Sequence, residues 1–499
     1  MKHQAFNPYL PDWEYVPDGE PHVFEGRVYV YGSHDRFGAP IFCVNDYVCW
    51  SAPVEDLSDW RYEGVIYRKR QDPSNPLGIR SLYAPDVTRG PDGRYYLYYA
   101  FDFMGQMGVA VCDSPAGQYQ YYGKVRFPDG HIWGTRRGEP FPFDPGVLTD
   151  EDGRVWLYSG FATKVPFPAS RWHDLGNEGG VVLELEKDML TIRQGPKLLF
   201  PAKGRAGAFP GHAFFEASSI RKVDGKYCFV YSSEHNHELC YAMADRPDGP
   251  FSFGGTLVDL GDLFLCGNTE EARGTNYLGN THGGLLQIGA DYYIFYHRQT
   301  NRNSYARQAC AEKLERTPEG GFRQAEVTSC GLNGGPLVGL GRYEARIACN
   351  LRSREGVGRY DCPRPKRVFR EHPYFTQTGP DRERDGDQYI ANMHRGASAG
   401  FKYFLMDGAD GIALELGGRA DGTMEVSETP DFRVLRAAVP VKPAGKTRVF
   451  SGSLEIPPGK QALYFRFQGE GAVDFKAFTL FRRENTDCPE REGQADAGS

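Results

Sequence analysis

The sequence predicts an all-β protein in which a five-bladed β-propeller is followed by a jelly-roll-type β-sandwich. Three observations lead to this prediction. One short aromatic strand motif occurs five times at a near-constant spacing, and each copy lies among further short strands joined by Asp, Gly and Pro turns. The repeats then stop, and strands of alternating polarity follow. Almost no stretch has the periodicity of a helix.

The repeated motif is a strand that follows a tight turn, as in residues 93–99 (GRYYLYY). Its copies begin at residues 27, 94, 154, 226 and 291 and are therefore 60 to 72 residues apart. A second short strand precedes each copy, and a third and a fourth follow most copies. Four strands per unit at a fixed period are typical of a propeller blade, so five units predict five blades.

The domain organisation follows from where the repeats end. We assign residues 1–337 to the propeller, because a Gly-rich stretch at 330–336 (CGLNGGP) marks a boundary. Seven or more strands follow in residues 338–482, several of them alternating in polarity, which predicts the sandwich. Residues 483–499 form a polar tail.

The composition of the chain bears on which kinds of ligand the protein binds and on its cellular location. The net charge is −7 and there is no Lys/Arg cluster, which argues against nucleic acid and membrane surfaces and favours a neutral ligand. No apolar run approaches membrane-spanning length, and no signal peptide is evident. The 11 cysteines contain no C-x-x-C pair and indicate reduced thiols, so we predict a cytoplasmic location.

Candidate site residues stand where the innermost strand of each blade begins, 8 to 10 residues before each aromatic strand. They are Asp18, Asp86, Asp144, Glu216 and His282. One residue per blade can converge on the propeller axis there. Carboxyls that share a confined space have their pKa values pushed apart, which yields one acid and one base near neutral pH. That pair is what cleavage of a glycosidic bond requires.

The motifs around Asp18, around Asp86 (Ala84-Pro85-Asp86) and around Glu216 resemble those of glycoside hydrolase family 43 over about residues 6–328. The resemblance implies that Asp18 is the general base and Glu216 the general acid. It implies that Asp86 modulates the pKa of the acid and orients it. The first motif departs from the family's usual Asp-Pro, reading Asp-Gly-Glu-Pro from Asp18 onward.

We assign Arg307, Asp144 and His282 as substrate-binding residues. The resemblance implies the roles of Arg307 and His282, and Asp144 follows from its position at the start of the first strand of blade 3. Residues 305–308 (YARQ) are similar to a turn whose Arg contacts the innermost sugar, although a surface strand charge is the alternative for Arg307. His282 is similar to an axial histidine that helps some members hold calcium or water. Simple hydrogen bonding is the alternative for His282. No cofactor is required, beyond a structural calcium ion that His282 could hold in the channel.

The implied activity is that of an inverting exo-glycosidase that releases terminal pentose from neutral oligosaccharides of plant cell-wall origin. It would act as an α-L-arabinofuranosidase, a β-xylosidase or both. Alternatives on the same fold are a β-galactofuranosidase, a glycoside phosphorylase and a non-catalytic sugar-binding propeller. A phosphorylase needs a basic phosphate pocket, for which Arg298 and Arg302 are the cations nearest to Arg307 in sequence. The sandwich resembles carbohydrate-binding modules, and it either binds sugar or only packs against the blades.

Overall fold

The fold is almost entirely β, as predicted. The computed structural model describes residues 3–361, 368–382 and 386–483. Within them the single α-helix is Val368–Glu371. Short 3₁₀-helices span Lys69–Gln71, Leu265–Gly267, Glu271–Arg273, Gly331–Asn333 and Ala345–Ile347. None of the helices in this part of the chain has the length and apolar character to cross a membrane.

Five antiparallel sheets follow one another along the chain and form the blades of the propeller. Blade 1 contains Glu20–Phe24, Arg27–Tyr31, Tyr47–Pro53 and Arg61–Tyr67; blade 2 contains Asp86–Arg89, Tyr95–Ala100, Met107–Cys112 and Gln120–Lys124; blade 3 contains Gly146–Thr149, Val155–Ser159, Gly179–Leu185 and Ile192–Pro201; blade 4 contains Phe214–Val223, Lys226–Ser233, Glu238–Ala244 and Ser252–Asp259; blade 5 contains Leu285–Ile288, Asp291–Gln299 and Arg307–Leu314. The five aromatic motifs are the second strands of these sheets, which confirms the predicted repeat. Blade 5 has three strands in the described residues, one fewer than the others.

The first strands of the five sheets surround the propeller axis. Each contacts the first strand of the next blade, and the first strand of blade 5 contacts that of blade 1, so the ring is closed. A parallel bridge between Gly19 and Gly283 joins the two ends of the ring. Residues at the start of every first strand therefore face a common centre.

Tyrosines explain why the repeated strands are aromatic yet buried on both faces. Three of these rings pack between two blades, and each of their hydroxyls donates to a backbone carbonyl of the next blade, so these buried hydroxyls have an acceptor. These bonds run from Tyr31 to Pro115, from Tyr98 to Met189 and from Tyr158 to Pro247, at 2.6–2.7 Å. The same residue type thus fills the space between blades and ties neighbouring blades together.

The C-terminal sandwich consists of two sheets around one apolar core. One sheet contains Leu337–Val338, Asn350–Arg352, Ser398–Met406, Asp421–Ser427, Ala437–Val441 and Gly459–Glu470, and the other contains Gly341–Glu344, Tyr374–Thr376, Tyr389–Met393, Gly411–Gly417, Arg448–Ser453 and Val473–Phe481. The predicted boundary after residue 337 falls within the first of these strands. Of the predicted tail, residues 484–499 lie outside the described residues.

A buried ion pair fastens the sandwich to the propeller. The Lys402 ammonium is 2% exposed and contacts Asp262 at 3.1 Å and Glu326 at 2.9 Å. Removing one partner of such a pair leaves an uncompensated buried charge, which is strongly destabilising. The two units therefore share part of their stability. The nine cysteines in the described ranges carry no disulfide.

Candidate active site

The ends of the five first strands open into a cavity of about 230 Å³ at the propeller axis. Five of the six site residues predicted from the sequence line it: Asp18, Asp144, Glu216, His282 and Arg307. Asp86 is not among its lining residues. The cavity thus collects charged groups from blades that are far apart in sequence.

Asp18 lies in the turn before the first strand of blade 1 and is ionised. Its backbone is in the left-handed region (φ 58°), which favours glycine and is uncommon for other residues. One carboxylate oxygen, Oδ1, lies 2.9 Å from Arg307 Nη1 and 3.2 Å from His297 Nδ1. Burial alone would raise the pKa of Asp18, but the charge of Arg307 and the hydrogen bond from His297 hold it well below its usual value. Asp18 is therefore available as a base.

Arg307 is buried, and its charge is compensated within the site. Its guanidinium donates two hydrogen bonds to the Asp35 carboxylate, at 2.8 and 3.0 Å, and one to Asp18 at 2.9 Å. The alternative interpretation of Arg307 as a surface charge is wrong, because the residue is only 2% exposed. Asp35 and His297 were not predicted, since neither occupies a position that repeats from blade to blade.

Glu216 owes its position to an irregularity in the first strand of blade 4. The pairing register with the next strand shifts on either side of Glu216, and Ala217 adopts a left-handed backbone (φ 67°). A register shift of this kind is a β-bulge, which changes the direction in which a side chain points. Burial raises the pKa of Glu216 well above its ordinary value, and the nearby negative charge of Asp144 raises it further. The Glu216 carboxyl forms no ion pair with any described residue, so it is the uncharged carboxyl of the site.

Asp144 is the carboxylate beside this acid. Its Oδ2 accepts the backbone N–H of Ala217 at 3.1 Å and lies 3.5 Å from His282 Nδ1. Burial raises the pKa of Asp144, whereas His282 lowers it. Because Asp144 has these partners, whereas the Glu216 carboxyl has no hydrogen bond or ion pair within the described residues, we expect a proton shared between the two carboxyls to reside on Glu216. Asp144 thereby keeps its neighbour protonated.

The structure corrects the expectation that Asp86 orients the acid. The Asp86 carboxylate lies 2.6 Å from His22 Nε2 and accepts the backbone N–H of Val147 at 2.7 Å. Burial would raise the pKa of Asp86, but His22 and Arg221 lower it. Asp86 therefore ties blade 1 to blades 2 and 3 outside the cavity, and Asp144 stands beside Glu216 in its place.

The remaining cavity wall is largely aromatic, with a few polar groups at the rim. It comprises Phe42, Tyr83, Phe103, Phe143, Phe161, Phe215, Asn236, Asn280, Ser304 and Asp361. Asp361 follows the first strands of the sandwich in sequence, and its carboxylate accepts a hydrogen bond from Asn236 at 3.1 Å. These residues were not predicted, because aromatic side chains are too frequent throughout the chain to indicate a site.

The residues around His282 do not fit calcium as direct ligands. Calcium takes six to eight oxygen ligands, and within the described residues the His282 ring forms ion pairs with two carboxylates, Asp144 at 3.5 Å and Glu20 at 3.7 Å. Although burial lowers the pKa of His282, these carboxylates raise it well above the ordinary value. This shift favours the charged imidazole, which has no free lone pair for a metal ion. Arg221, which donates to Glu20 at 2.7 Å, adds a further positive charge.

A second group of metal-ligand type occurs in blade 4, where atoms of His212, Glu238 and Cys240 lie within 4.8 Å of one another. The Glu238 carboxylate there already accepts hydrogen bonds from Ser233 and Thr256 and contacts His212. These contacts account for the group as a hydrogen-bond network within one blade.

A propeller that brings an ionised carboxylate and a protonated carboxyl into one buried cavity has the equipment of a glycoside hydrolase. Comparison with known proteins specifies the family. Residues 16–322 match the model for glycosyl hydrolases family 43. The chain therefore belongs to this family, which confirms the predicted resemblance, and it is a glycoside hydrolase.

Relatives with described activities include a xylosidase/arabinosidase of Thermoclostridium stercorarium. It is 47% identical over 485 residues, covering 96% of this chain and 99% of the relative. A xylosidase/arabinosidase of Bacteroides ovatus is 27% identical over 58% of this chain and 87% of its own length. Among solved structures, a GH43_1 enzyme of Xanthomonas citri with bound xylotriose matches with a TM-score of 0.51 at 23% identity, over 64% of this chain and 94% of that one. This last match confirms the fold.

Proposed function

We propose that this protein is an inverting exo-glycosidase that removes terminal pentose residues from oligosaccharides of plant cell-wall origin. It acts as an α-L-arabinofuranosidase, a β-xylosidase or both. The observation that carries the proposal is that two carboxyls in opposite surroundings line one cavity. Asp18 is paired with Arg307, which outweighs the effect of burial and lowers the pKa of Asp18, whereas burial and the charge of Asp144 raise the pKa of Glu216. The naming of the Thermoclostridium stercorarium relative as a xylosidase/arabinosidase supports the choice of pentose.

The proposed reaction uses each carboxyl once. Glu216 gives its proton to the glycosidic oxygen while the bond from that oxygen to the anomeric carbon breaks. A water attacks the anomeric carbon from the opposite face, and Asp18 accepts the proton that this water loses. The product sugar has the inverted configuration, and solvent restores both carboxyls to their starting states.

Asp144 and His282 support this chemistry without touching the bond that breaks. Asp144 holds the pKa of Glu216 high, and His282 lies between Asp144 and Glu20, at the position for which calcium binding and simple hydrogen bonding were the two alternatives. In this proposal a charged imidazole occupies the axial position and no metal takes part in a step. The side chains that contact the sugar ring are the aromatic ones of the wall.

The dimensions of the cavity support an exo-acting enzyme. Its volume of about 230 Å³ is small beside the ~300–1,000 Å³ of typical small-molecule clefts, so it suits the end of a chain better than its middle. Six aromatic side chains, Phe42, Tyr83, Phe103, Phe143, Phe161 and Phe215, offer ring faces to a neutral sugar.

The rival functions fit the cavity less well. A phosphorylase needs uncommitted cations, but Arg307 is bound by two carboxylates, and neither Arg298 nor Arg302 lines the cavity. Arg298 instead donates to the carbonyls of Ala348 and Arg346. A non-catalytic sugar-binding propeller has no use for an acid and a base held in opposite states. The cytoplasmic location stays a prediction.

Hydrolysis of a panel of nitrophenyl glycosides tests the proposal: arabinofuranoside, xyloside, galactofuranoside and arabinopyranoside. We expect turnover of the arabinofuranoside or the xyloside, at equal rates with and without inorganic phosphate. Asp18→Asn should abolish most of this turnover, because activation of the water is lost whatever the leaving group. Glu319→Gln, at an acidic position outside the cavity lining, should leave it unchanged. Preferential turnover of the galactofuranoside, dependence on phosphate, or binding without turnover would contradict the assignment.

A further inference from the structure

A second cleft, of about 520 Å³, opens where the sandwich meets the propeller. Thr275, in the connection between blades 4 and 5, contributes to its wall, and the other lining residues belong to the C-terminal part of the chain. None of its lining residues belongs to the cavity at the propeller axis. The cleft is therefore separate from the candidate active site.

The floor of the cleft is the outer face of three adjacent strands, Asn350–Arg352, Ser398–Met406 and Gly459–Glu470. Side chains two residues apart on a strand share a face. Arg352 pairs with Ser398, which in turn pairs with Arg466, so two arginines flank a serine across the sheet.

Positive charge dominates the cleft. Arg352, Arg354 and Arg395 line it, and none of the three forms an ion pair with any residue of the described ranges. Arg466 is different, because it is bound to Glu425 at 2.7 Å. No carboxylate of the described residues lines the cleft. Three uncompensated guanidinium groups in one cleft, on a chain of net charge −7, indicate an anionic ligand.

Asn350 provides a separate observation that points to a ligand. The residue is only 5% exposed, and its side-chain nitrogen has no hydrogen-bond acceptor in the described part of the chain. A buried donor without an acceptor is unfavourable and uncommon. Because Asn350 lines the cleft beside Arg352, a ligand with hydroxyl or carboxylate oxygens would supply the missing acceptor.

Aromatic rings complete the cleft. Tyr464 lies on the floor, and Gly400 beside it leaves room for its ring, since a Cβ at Gly400 would come within 2.6 Å of that ring. Phe432 forms part of the wall and is stacked by the Arg466 guanidinium at 4.2 Å. Aromatic rings that line a cleft next to hydrogen-bond donors suit a sugar ring better than a small inorganic anion.

We infer that this cleft binds an acidic saccharide, that is, a sugar unit that carries a carboxylate. The guanidinium groups of the arginines bind the carboxylate. The Asn350 amide donates a hydrogen bond to the ring oxygen or a hydroxyl oxygen of the sugar, and the Tyr464 side chain contacts the apolar face of the sugar. The choice of a saccharide rests on the proposed function, whereas the preference for an anion rests on the cleft alone. An oligosaccharide with uronic acid branches would then be held at a second point on the protein.

Ligand-observed NMR titration of the full chain tests this inference, with D-glucuronate, D-glucose and inorganic phosphate at constant ionic strength. We expect glucuronate to bind at least ten-fold more tightly than glucose. Arg352→Ala should weaken glucuronate binding at least ten-fold, with folding checked by circular dichroism. Arg448→Ala is the matched control, because Arg448 is an exposed arginine on the other sheet of the sandwich, and it should keep full affinity.

Equal binding of glucose and glucuronate, or full affinity in Arg352→Ala, would overturn the inference. Displacement of glucuronate by phosphate at equal concentration would overturn the saccharide assignment and leave a general anion site. If Arg352→Ala does not fold, Arg395→Ala takes its place, since Arg395 is exposed and makes no described ion pair. Nitrophenyl glycoside hydrolysis by the unmodified protein is measured separately, so failure of the proposed function remains distinguishable from failure of this inference.

Discussion

Replacing Asp144 with asparagine should lower the pKa of Glu216 and move the alkaline limb of the pH–rate profile to lower pH. The alkaline limb reports loss of the proton from the general acid. Burial raises the pKa of Glu216 and the Asp144 charge raises it further, so an uncharged amide at position 144 removes the second contribution. The acidic limb reports Asp18 and should stay below the measured pH range, because burial raises the pKa of Asp18 but Arg307 and His297 together hold it well below its usual value.

The magnitude follows from Coulomb's law. Two unit charges about 4 Å apart interact by about 4 kcal/mol at an effective dielectric constant near 20. At about 1.36 kcal/mol per pKa unit, this corresponds to about three units. The charge of His282, beside Asp144, offsets part of the field at Glu216. We therefore expect the alkaline limb to move by about one to three pH units.

The assay is kcat/KM for a nitrophenyl pentoside from about pH 4 to 10, with Asp86→Asn as the comparison. Asp86→Asn removes a carboxylate charge from the contacts with His22 and Arg221, so it should lower the melting temperature but leave the alkaline limb in place. If Asp86→Asn moves the alkaline limb and Asp144→Asn does not, the assignment of roles in the site is wrong.

Three further predictions follow from the same site. Glu216→Ala should lose about 10²–10⁴-fold in rate on a poor leaving group and much less on dinitrophenolate, which needs no proton; equal losses on both would exclude Glu216 as the acid. Arg307→Gln should raise the pKa of Asp18 and move the acidic limb to higher pH, and a fixed limb would show that Arg307 does not hold the base charged. Truncation after residue 337 removes Lys402 and Asp361, so the fragment should melt at lower temperature, seen by circular dichroism, and lose activity; a stable, fully active fragment would contradict the shared site.

The propeller could be predicted from the sequence because one aromatic strand motif recurs once per blade at a nearly constant spacing. Five aromatic strands at nearly equal spacing identify the second strand of each blade, and the ends of the first strands follow by offset. The positions of Asp18, Glu216 and His282 at the axis could be predicted for this reason. Because the five blades close into a ring, equivalent positions of all blades lie around one axis. Their proximity therefore follows from the repeat alone, without any prediction of individual long-range contacts.

The choice between Asp86 and Asp144 could not be made from the offset, because they stand 8 and 10 residues before an aromatic motif and the offsets of all five blades lie in this range. What separates them is local backbone geometry. Asp144 has a left-handed backbone (φ 44°) and accepts the N–H of Ala217, whereas Asp86 belongs to the strand itself and turns to His22. These details depend on contacts between blades, which a pattern along one chain does not contain.

The arginine cleft illustrates the same limit. Arg352, Arg395 and Arg466 are more than 100 residues apart at their extremes and form no charge run. Strand pairing in the sandwich alone brings them to one face. The composition of the whole chain indicated a neutral ligand. The net charge of −7 sums over all residues, so it concealed the local positive charge of the cleft.

Proton NMR of the first-formed product tests the central claim most directly. Hydrolysis of nitrophenyl β-D-xylopyranoside, or of the corresponding α-L-arabinofuranoside, should first release the sugar with the opposite anomeric configuration, because Asp18 activates a water and forms no bond to the sugar. The spectrum is recorded within the first turnovers, before mutarotation mixes the anomers. A first product that retains the configuration of the substrate would require a carboxylate nucleophile and would contradict the roles given to Asp18 and Glu216.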